Sequence, residues 1–266
     1  MYLLILHICC AILLIGDFMK IIGSDYDGTL NHGGIDDAKK NAIEKWRCAG
    51  NVFALISGRG PENVLKIYKE KQFGCDYLIA NNGAIILKTN GEIVSDIRCE
   101  GEIAFPLLKL LFKNGCPWGD IQTAFPCRVF ADENECEEAG DYTMKNVPEI
   151  PYFNQISTVL PDFETAEKIT ALIAENFGSE LNPLQNGVCI DIVRNDMNKA
   201  RGLYILADIL GAEYSNIIAV GDNVNDRDMI KEFRSYAMAN GVDSIKELAD
   251  YITESVTELI EKELEI

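Results

Sequence analysis

Lys20 to Asn31 reads Lys-Ile-Ile-Gly-Ser-Asp-Tyr-Asp-Gly-Thr-Leu-Asn, and this stretch constrains the fold more tightly than any other part of the chain. Ile21 and Ile22 make a short buried strand, and Gly28 breaks the extended run just after two carboxylates, Asp25 and Asp27. Side chains at i and i+2 of a strand share one side, so Asp25 and Asp27 are expected to crowd together at a strand end. Their repulsion is costly there unless a cation or a working proton relieves it. A strand followed by an Asp-Gly turn is also common in proteins of every kind. Asp-Gly-Thr-Leu therefore does not establish chemistry by itself.

The chain around this stretch alternates regularly. Helical spacing from Asp36 to Gly50 (Ala38, Ile43, Trp46) gives way to the apolar run Val52 to Ile56, which ends in Ser57-Gly58-Arg59. Pro61 to Gln72 reads as a helix and Tyr77 to Ala80 as a strand. Fully apolar strands separated by helices predict a parallel sheet covered on both faces, with ligands collecting at the carboxyl ends of its strands. Both Asp25 and Ser57 fall at such ends.

From Asn82 the pattern changes to hairpins and helices. Ala84 to Lys88 and Glu92 to Ile97 pair across Thr89-Asn90-Gly91, and a helical segment with Pro106 near its start follows. Strands are expected over Ile121 to Phe125, Cys127 to Ala131 and Ile156 to Leu160, a solvated acidic stretch over Glu133 to Asp141, a helix over Phe163 to Phe177, and a hairpin over Leu181 to Arg194. This region, 82–194, reads as a second α+β domain inserted between the halves, 19–81 and 195–266, of a parallel-sheet domain. The parallel pattern resumes with a helix over Asn198 to Leu210 and a strand over Asn216 to Val220 that runs into Gly221-Asp222-Asn223-Val224-Asn225-Asp226. Lys199 in the first turn of a helix is disfavoured by the helix dipole. An anionic neighbour would justify it.

Composition narrows the partners. With 42 acidic and 24 basic residues among 266, the formal charge of −18 repels nucleic-acid backbones and anionic membrane surfaces, and no basic cluster offsets it. A small anion can still bind where a metal and a few basic groups reverse the local sign. Nine cysteines without a Cys-x-x-Cys pair, and only two histidines, argue against a disulfide framework and a structural zinc site and suit a reducing cytoplasm. Tyr2 to Ile15 is an uncharged apolar run of 14 residues, shorter than the roughly 20 that span a bilayer. It lacks the flanks of a secretory signal, and residues 1–18 are expected to be an apolar extension ahead of a start at Met19, with a membrane anchor, a signal peptide and an extra buried element as the rival readings.

Asp25-Tyr26-Asp27-Gly28-Thr29, Ser57-Gly58-Arg59, Lys199, and Gly221-Asp222 with Asn225-Asp226 occur in that order, each after the expected element. Together they resemble the four motifs of haloacid dehalogenase-like hydrolases, over essentially Met19 to Ile266. The insertion resembles the C2-type cap of the Cof-like, IIB group, and Asn82-Gly83-Ala84 at its entry fits that group. Ala200 stands where the family often has glycine, and the apolar N-terminal tail has no family counterpart.

The resemblance implies a Rossmann-like α/β core with an inserted cap, and a magnesium-dependent phosphatase acting on small phosphomonoesters, above all sugar phosphates. Asp25 would be the nucleophile that forms an aspartyl phosphate, and Asp27 the general acid and base. Mg²⁺ would be held by Asp25, the backbone carbonyl of Asp27, and Asp222. Ser57, Gly58, Arg59 and Lys199 would bind the phosphate, with Asn225 and Asp226 behind them. Plainer readings stand beside these: Ser57 as a helix N-cap, Lys199 as a solvated lysine, Asp226 as a helix-start acid. A phosphomutase, which returns the phosphoryl group to sugar, and a non-catalytic phosphometabolite-binding protein are the alternative functions.

Overall fold

The computed structural model describes residues 19–123, 126–132, 134 and 141–265. The expected extension over 1–18 lies outside them, as does most of the acidic stretch from Glu133 to Asp141. Among the described residues no helix is long and apolar enough to cross a membrane.

The chain begins with β1 (Ile21–Asp25), α1 (Asp37–Cys48), β2 (Val52–Ile56), α2 (Pro61–Lys71) and β3 (Tyr77–Ala80), then forms a hairpin of β4 (Ile85–Lys88) and β5 (Ile93–Asp96). Next come β6 (Cys99–Glu100), α3 (Ala104–Lys113), β7 (Trp118–Gln122), β8 (Cys127–Phe130), β9 (Asp141–Thr143), β10 (Tyr152–Phe153), β11 (Gln155–Val159), α4 (Phe163–Phe177), β12 (Leu181–Asn186) and β13 (Cys189–Arg194). The last part holds α5 (Lys199–Leu210), β14 (Ile217–Gly221), α6 (Arg227–Glu232), β15 (Arg234–Met238), α7 (Asp243–Lys246), β16 (Tyr251–Thr253) and α8 (Val256–Leu264). The mixed α/β architecture expected from the sequence is present.

Two large sheets result. The first has eight strands in the order β16-β15-β14-β1-β2-β3-β4-β5. From β16 to β3 every pair is parallel. Each face of β1 is covered: Ile22 packs with Trp46, Phe53 and Leu259 on one side, and Ile21 with Leu203, Leu206 and Met229 on the other. Successive side chains of a strand point to opposite faces, which is why its apolar run is continuous. From β1 the chain moves outward to β2 and β3, and later returns to β14 on the other side. The carboxyl ends of β1 and β14 therefore lie at the point where strand order reverses, the place where open α/β sheets hold ligands.

The β4–β5 hairpin, which the sequence reading assigned to the insertion beginning at Asn82, pairs antiparallel with β3 and extends this first sheet. The alternation of a hairpin shows which of its faces is apolar and leaves open which sheet it joins. An antiparallel edge on a parallel sheet is a common solution.

The second sheet runs β12-β13-β11-β7-β8-β9 and is antiparallel except for β8 with β9. One face carries Ile121, Ile156, Ile190 and Ile192, which pack on Leu107, Leu108 and Leu111 of α3 and on Ala166, Ile169 and Ile173 of α4. Strand alternation then gives the opposite face to Asp120, Gln122, Gln155, Ser157 and Asp191. This polar face is turned to the ends of the first sheet's strands, where Gln155 Nε2 donates to the Gly58 carbonyl at 2.8 Å.

Helix starts follow from local chemistry. The Asp36 side chain caps α1 by accepting from the Lys39 amide, and Asp162 caps α4 in the same way through Thr165. Within α1, Trp46 is fully buried and its Nε1 donates to the Val52 carbonyl at 2.8 Å, tying the helix to the strand that follows it. Trp46→Ala is expected to lower unfolding free energy by about 3–5 kcal/mol, measured by urea denaturation; a loss under about 1 kcal/mol would contradict this account of the core.

Candidate active site

Asp25 is the last residue of β1, and the chain then leaves the sheet in a turn over Tyr26–Leu30. Gly28 takes φ +80°, a conformation open to glycine at little cost. A Cβ at that position would also stand 2.3 Å from Asp222 Oδ2. The turn thus brings backbone against the carboxylate that follows β14, and Asn240 fixes it by donating to the Gly28 carbonyl at 2.9 Å.

The expected crowding of Asp25 and Asp27 is not what the fold produces. The strand ends at Asp25, so the i and i+2 rule no longer governs Asp27, which lies within the turn. Asp25 is buried and faces Lys199, whereas Asp27 is largely exposed and takes two hydrogen bonds from Arg59, at 2.8 and 3.0 Å. Both still line one cavity.

Lys199 is the first residue of α5, directly after the cap Asn198, whose side chain accepts from the Arg201 amide. Its ammonium is buried and donates to Asp25 Oδ1 at 2.6 Å and to Asp226 Oδ1. These carboxylates are the anionic neighbours that a helix-start lysine needs. Asp226 Oδ2 in turn accepts from the amides of Asp222 and Asn223, at 2.9 and 3.1 Å. With both oxygens engaged, Asp226 orients Lys199 and the loop after β14. Asp222 Oδ1 accepts from the Thr29 hydroxyl at 2.7 Å.

The carboxylates of Asp25, Asp222 and Asp226 converge, with one oxygen from each lying within 4.8 Å of the others. Burial pushes the Asp25 carboxyl up to about 8, against the pull of Lys199 and with the repulsion of Asp226 and Asp222 added to it. Burial likewise raises Asp222. For Lys199 burial acts in the opposite sense, lowering the ammonium, but Asp226 and Asp25 more than reverse it and its pKa is raised. One ammonium among three carboxylates leaves an excess of negative charge. The donors are all oxygens, the set that suits a hard divalent cation such as Mg²⁺.

Ser57, buried, follows β2, and its hydroxyl accepts from the Arg59 amide at 3.2 Å; the N-cap of α2 is Gly60 rather than Ser57. Ser57, Gly58, Arg59 and Asn225 line the same cavity as Asp25 and Asp27. It encloses about 330 Å³. A larger concavity of about 1020 Å³ beside Trp118 and Arg128 contains none of the strand-end residues. The second sheet closes the smaller cavity with Asp120, Gln122, Gln155, Ser157 and Asp191. These roof residues carry no motif and sit at alternate positions of ordinary strands. Their only signal in the sequence is a polar residue at every second place.

Fold and site define an α/β core with a largely parallel sheet, whose acidic strand ends are roofed by a second, polar-faced sheet. The chain belongs to the haloacid dehalogenase-like hydrolase family, whose model matches residues 22–259. It is 25% identical to a putative phosphatase of Haemophilus influenzae over 88% of this chain and 92% of that protein. A phosphoglycolate phosphatase of Methanosarcina acetivorans is 33% identical, over 46% of this chain and 55% of its own. Among solved structures, a haloacid dehalogenase-like hydrolase from Bacillus subtilis superposes with a TM-score of 0.78 at 19% identity, covering 91% of this chain and 99% of its own. A subclass IIB sugar phosphatase gives 0.76 at 16% identity, covering 93% and 100%.

Gly28→Ala and Gly33→Ala separate backbone strain from damage to the site. Both glycines have positive φ, but nothing lies within 4 Å of a Cβ at Gly33. Each variant should lose about 1–2 kcal/mol of stability, while only Gly28→Ala should lose hydrolase activity, by ~10²-fold in kcat/KM, because it displaces Asp222. Equal activity of the two variants would contradict the placement of Asp222 in the site.

Proposed function

We propose that this hydrolase, a phosphatase of phosphoric monoesters, works with Mg²⁺ on small sugar phosphates through a phosphoryl group carried on Asp25. The observation that carries the reading is the convergence of Asp25, Asp222 and Asp226 around Lys199 beneath a polar roof. Asp25, the Asp27 backbone carbonyl and Asp222 would hold the metal ion, which when bound offsets the repulsion between carboxylate and phosphate.

Asp25 Oδ attacks phosphorus, the bond to the leaving oxygen breaks, and an aspartyl phosphate forms. Lys199 holds the Asp25 carboxylate in position and stabilises developing charge, and the Ser57 hydroxyl, which lines the cavity with Asp25, binds a transferring oxygen. Asp27 gives its proton to the leaving oxygen and later takes one from the water that hydrolyses the aspartyl phosphate. Arg59 keeps the Asp27 carboxylate at the edge of the cavity by two hydrogen bonds, so this pair has to loosen for Asp27 to act.

We assign the role of cap to the segment from about residue 97 to residue 197, after the β4–β5 hairpin. Its polar sheet closes over the cavity and shields a compact ligand from water. A cavity of about 330 Å³ suits a small phosphomonoester and leaves no room for a macromolecule.

Phosphate release from an aryl phosphate should stop in EDTA and return with Mg²⁺, and Asp25→Asn should abolish it without changing the circular dichroism spectrum. Undiminished turnover in EDTA would refute the metal requirement, and near-normal turnover of Asp25→Asn would refute the covalent route.

A further inference from the structure

The loop 239–242, between β15 and α7, reaches the acidic strand ends without bringing a carboxylate to them. It contacts both of the segments that do. The Asn240 side chain donates to the Gly28 carbonyl, in the turn after β1, at 2.9 Å. The Val242 amide donates to the Asp222 carbonyl, just past β14, at 2.9 Å. Between these two bonds lies Gly241, buried, where a Cβ would stand 2.8 Å from the Asp222 carbonyl oxygen and 3.0 Å from its Cα. Glycine lets the two backbones approach this closely.

The loop has firm anchors of its own. Its parent strand β15 lies between β14 and β16, and Ala237 and Met238 at the end of that strand are fully buried. The Ala239 amide donates to the Thr253 carbonyl of β16 at 2.9 Å, and the Gly241 amide to the Met238 carbonyl at 2.8 Å. A loop tied to the sheet in this way can hold something less constrained.

The turn at Gly28 is what it holds. The Asp27 carbonyl, one of the expected metal ligands, is aimed by the torsions on either side of the Asp27–Gly28 peptide, ψ 123° at Asp27 and φ +80° at Gly28. Glycine moves between backbone conformations more freely than any other residue. Fixing the carbonyl on the far side of Gly28 limits how far the peptide before it can turn. Asp222, by contrast, is gripped at three points: its amide by Asp226, its carbonyl by Val242 and its carboxylate by Thr29. The Asn240 bond thus sets the freer of the two segments in register with the tighter one. It joins neutral groups at an exposed position, so water can replace it in the metal-free protein at little cost in stability.

We propose that Asn240 is a positioning residue for the metal site, holding the Asp27–Gly28 backbone from a third strand so that the ligands are set before the cation arrives. This rests on the Mg²⁺ reading above. Asn240 acts through Gly28, and groups that orient metal ligands in this way typically change metal affinity by ~10- to 100-fold when removed.

The melting temperature of the full chain, followed against Mg²⁺ concentration at constant ionic strength, reports both the apparent Kd for the ion and the stability without it. Asn240→Ala is expected to raise that Kd by ~10-fold or more, while its melting temperature in EDTA stays within about 3 °C of the parent. Asn240→Leu, similar in size to asparagine and without a donor, should behave alike. Each variant is read from its own EDTA baseline, so a loss of stability does not hide the Kd. A lowered melting temperature in EDTA with a parental Kd, the mark of a role confined to stability, overturns the inference. So does a parental Kd in either variant while the parent itself responds to Mg²⁺, a result that leaves the metal reading standing. A parent indifferent to Mg²⁺ would instead remove the metal reading, and this inference with it.

Discussion

A buried ammonium holding two carboxylates is the interaction on which the rest of the site depends. Lys199 joins Asp25, at the end of the first strand, to Asp226, beyond the strand next to it. Such a group is expensive to take out of water, and removing one partner leaves an uncompensated buried charge that costs more than the bridge contributes. The arrangement is thus hard to dismantle piecemeal. It fixes α5 against the ends of β1 and β14, and through the second oxygen of Asp226 it fixes the loop that carries Asp222.

The same interaction is deliberately incomplete in charge. Three converging carboxylates against one ammonium give the strand ends an excess of acidic groups, and burial holds the Asp25 carboxyl high. Gly28 makes the closeness possible by admitting the turn and leaving room for Asp222. Above this floor lies the second sheet, whose apolar face pays no part in the site and whose polar face supplies its roof. Floor and roof meet through Asn82, Gln155 and Gly58, which join the loop after β2 to the polar face of the second sheet in one hydrogen-bond network.

Much of the floor was legible in the sequence because its residues follow directly from local pattern. Asp25 and Asp222 come right after apolar runs, and Lys199 opens a helix where the dipole disfavours it, which called for an anionic neighbour. The roof was not legible. Gln155, Ser157 and Asp191 occupy alternate positions of antiparallel strands, and alternation tells which residues share a face but not what that face looks at. The β4–β5 hairpin, read as part of the insertion that begins at Asn82, joins the first sheet, for the same reason: periodicity is a local property and sheet membership is a tertiary one. Asp27 departed from expectation because the strand rule was carried two residues past the strand's end.

On the reading proposed above, the strand-end carboxylates Asp25 and Asp222 hold a divalent cation. Thermal unfolding measured against Mg²⁺ concentration at constant ionic strength tests it without reference to any substrate. A ligand that binds only the folded state raises stability with the logarithm of its concentration once it exceeds Kd. The melting temperature of the unaltered protein is expected to climb in this way, and that of Asp222→Asn to stay flat. A melting temperature indifferent to Mg²⁺ in the unaltered protein, or the same rise in Asp222→Asn, would contradict it.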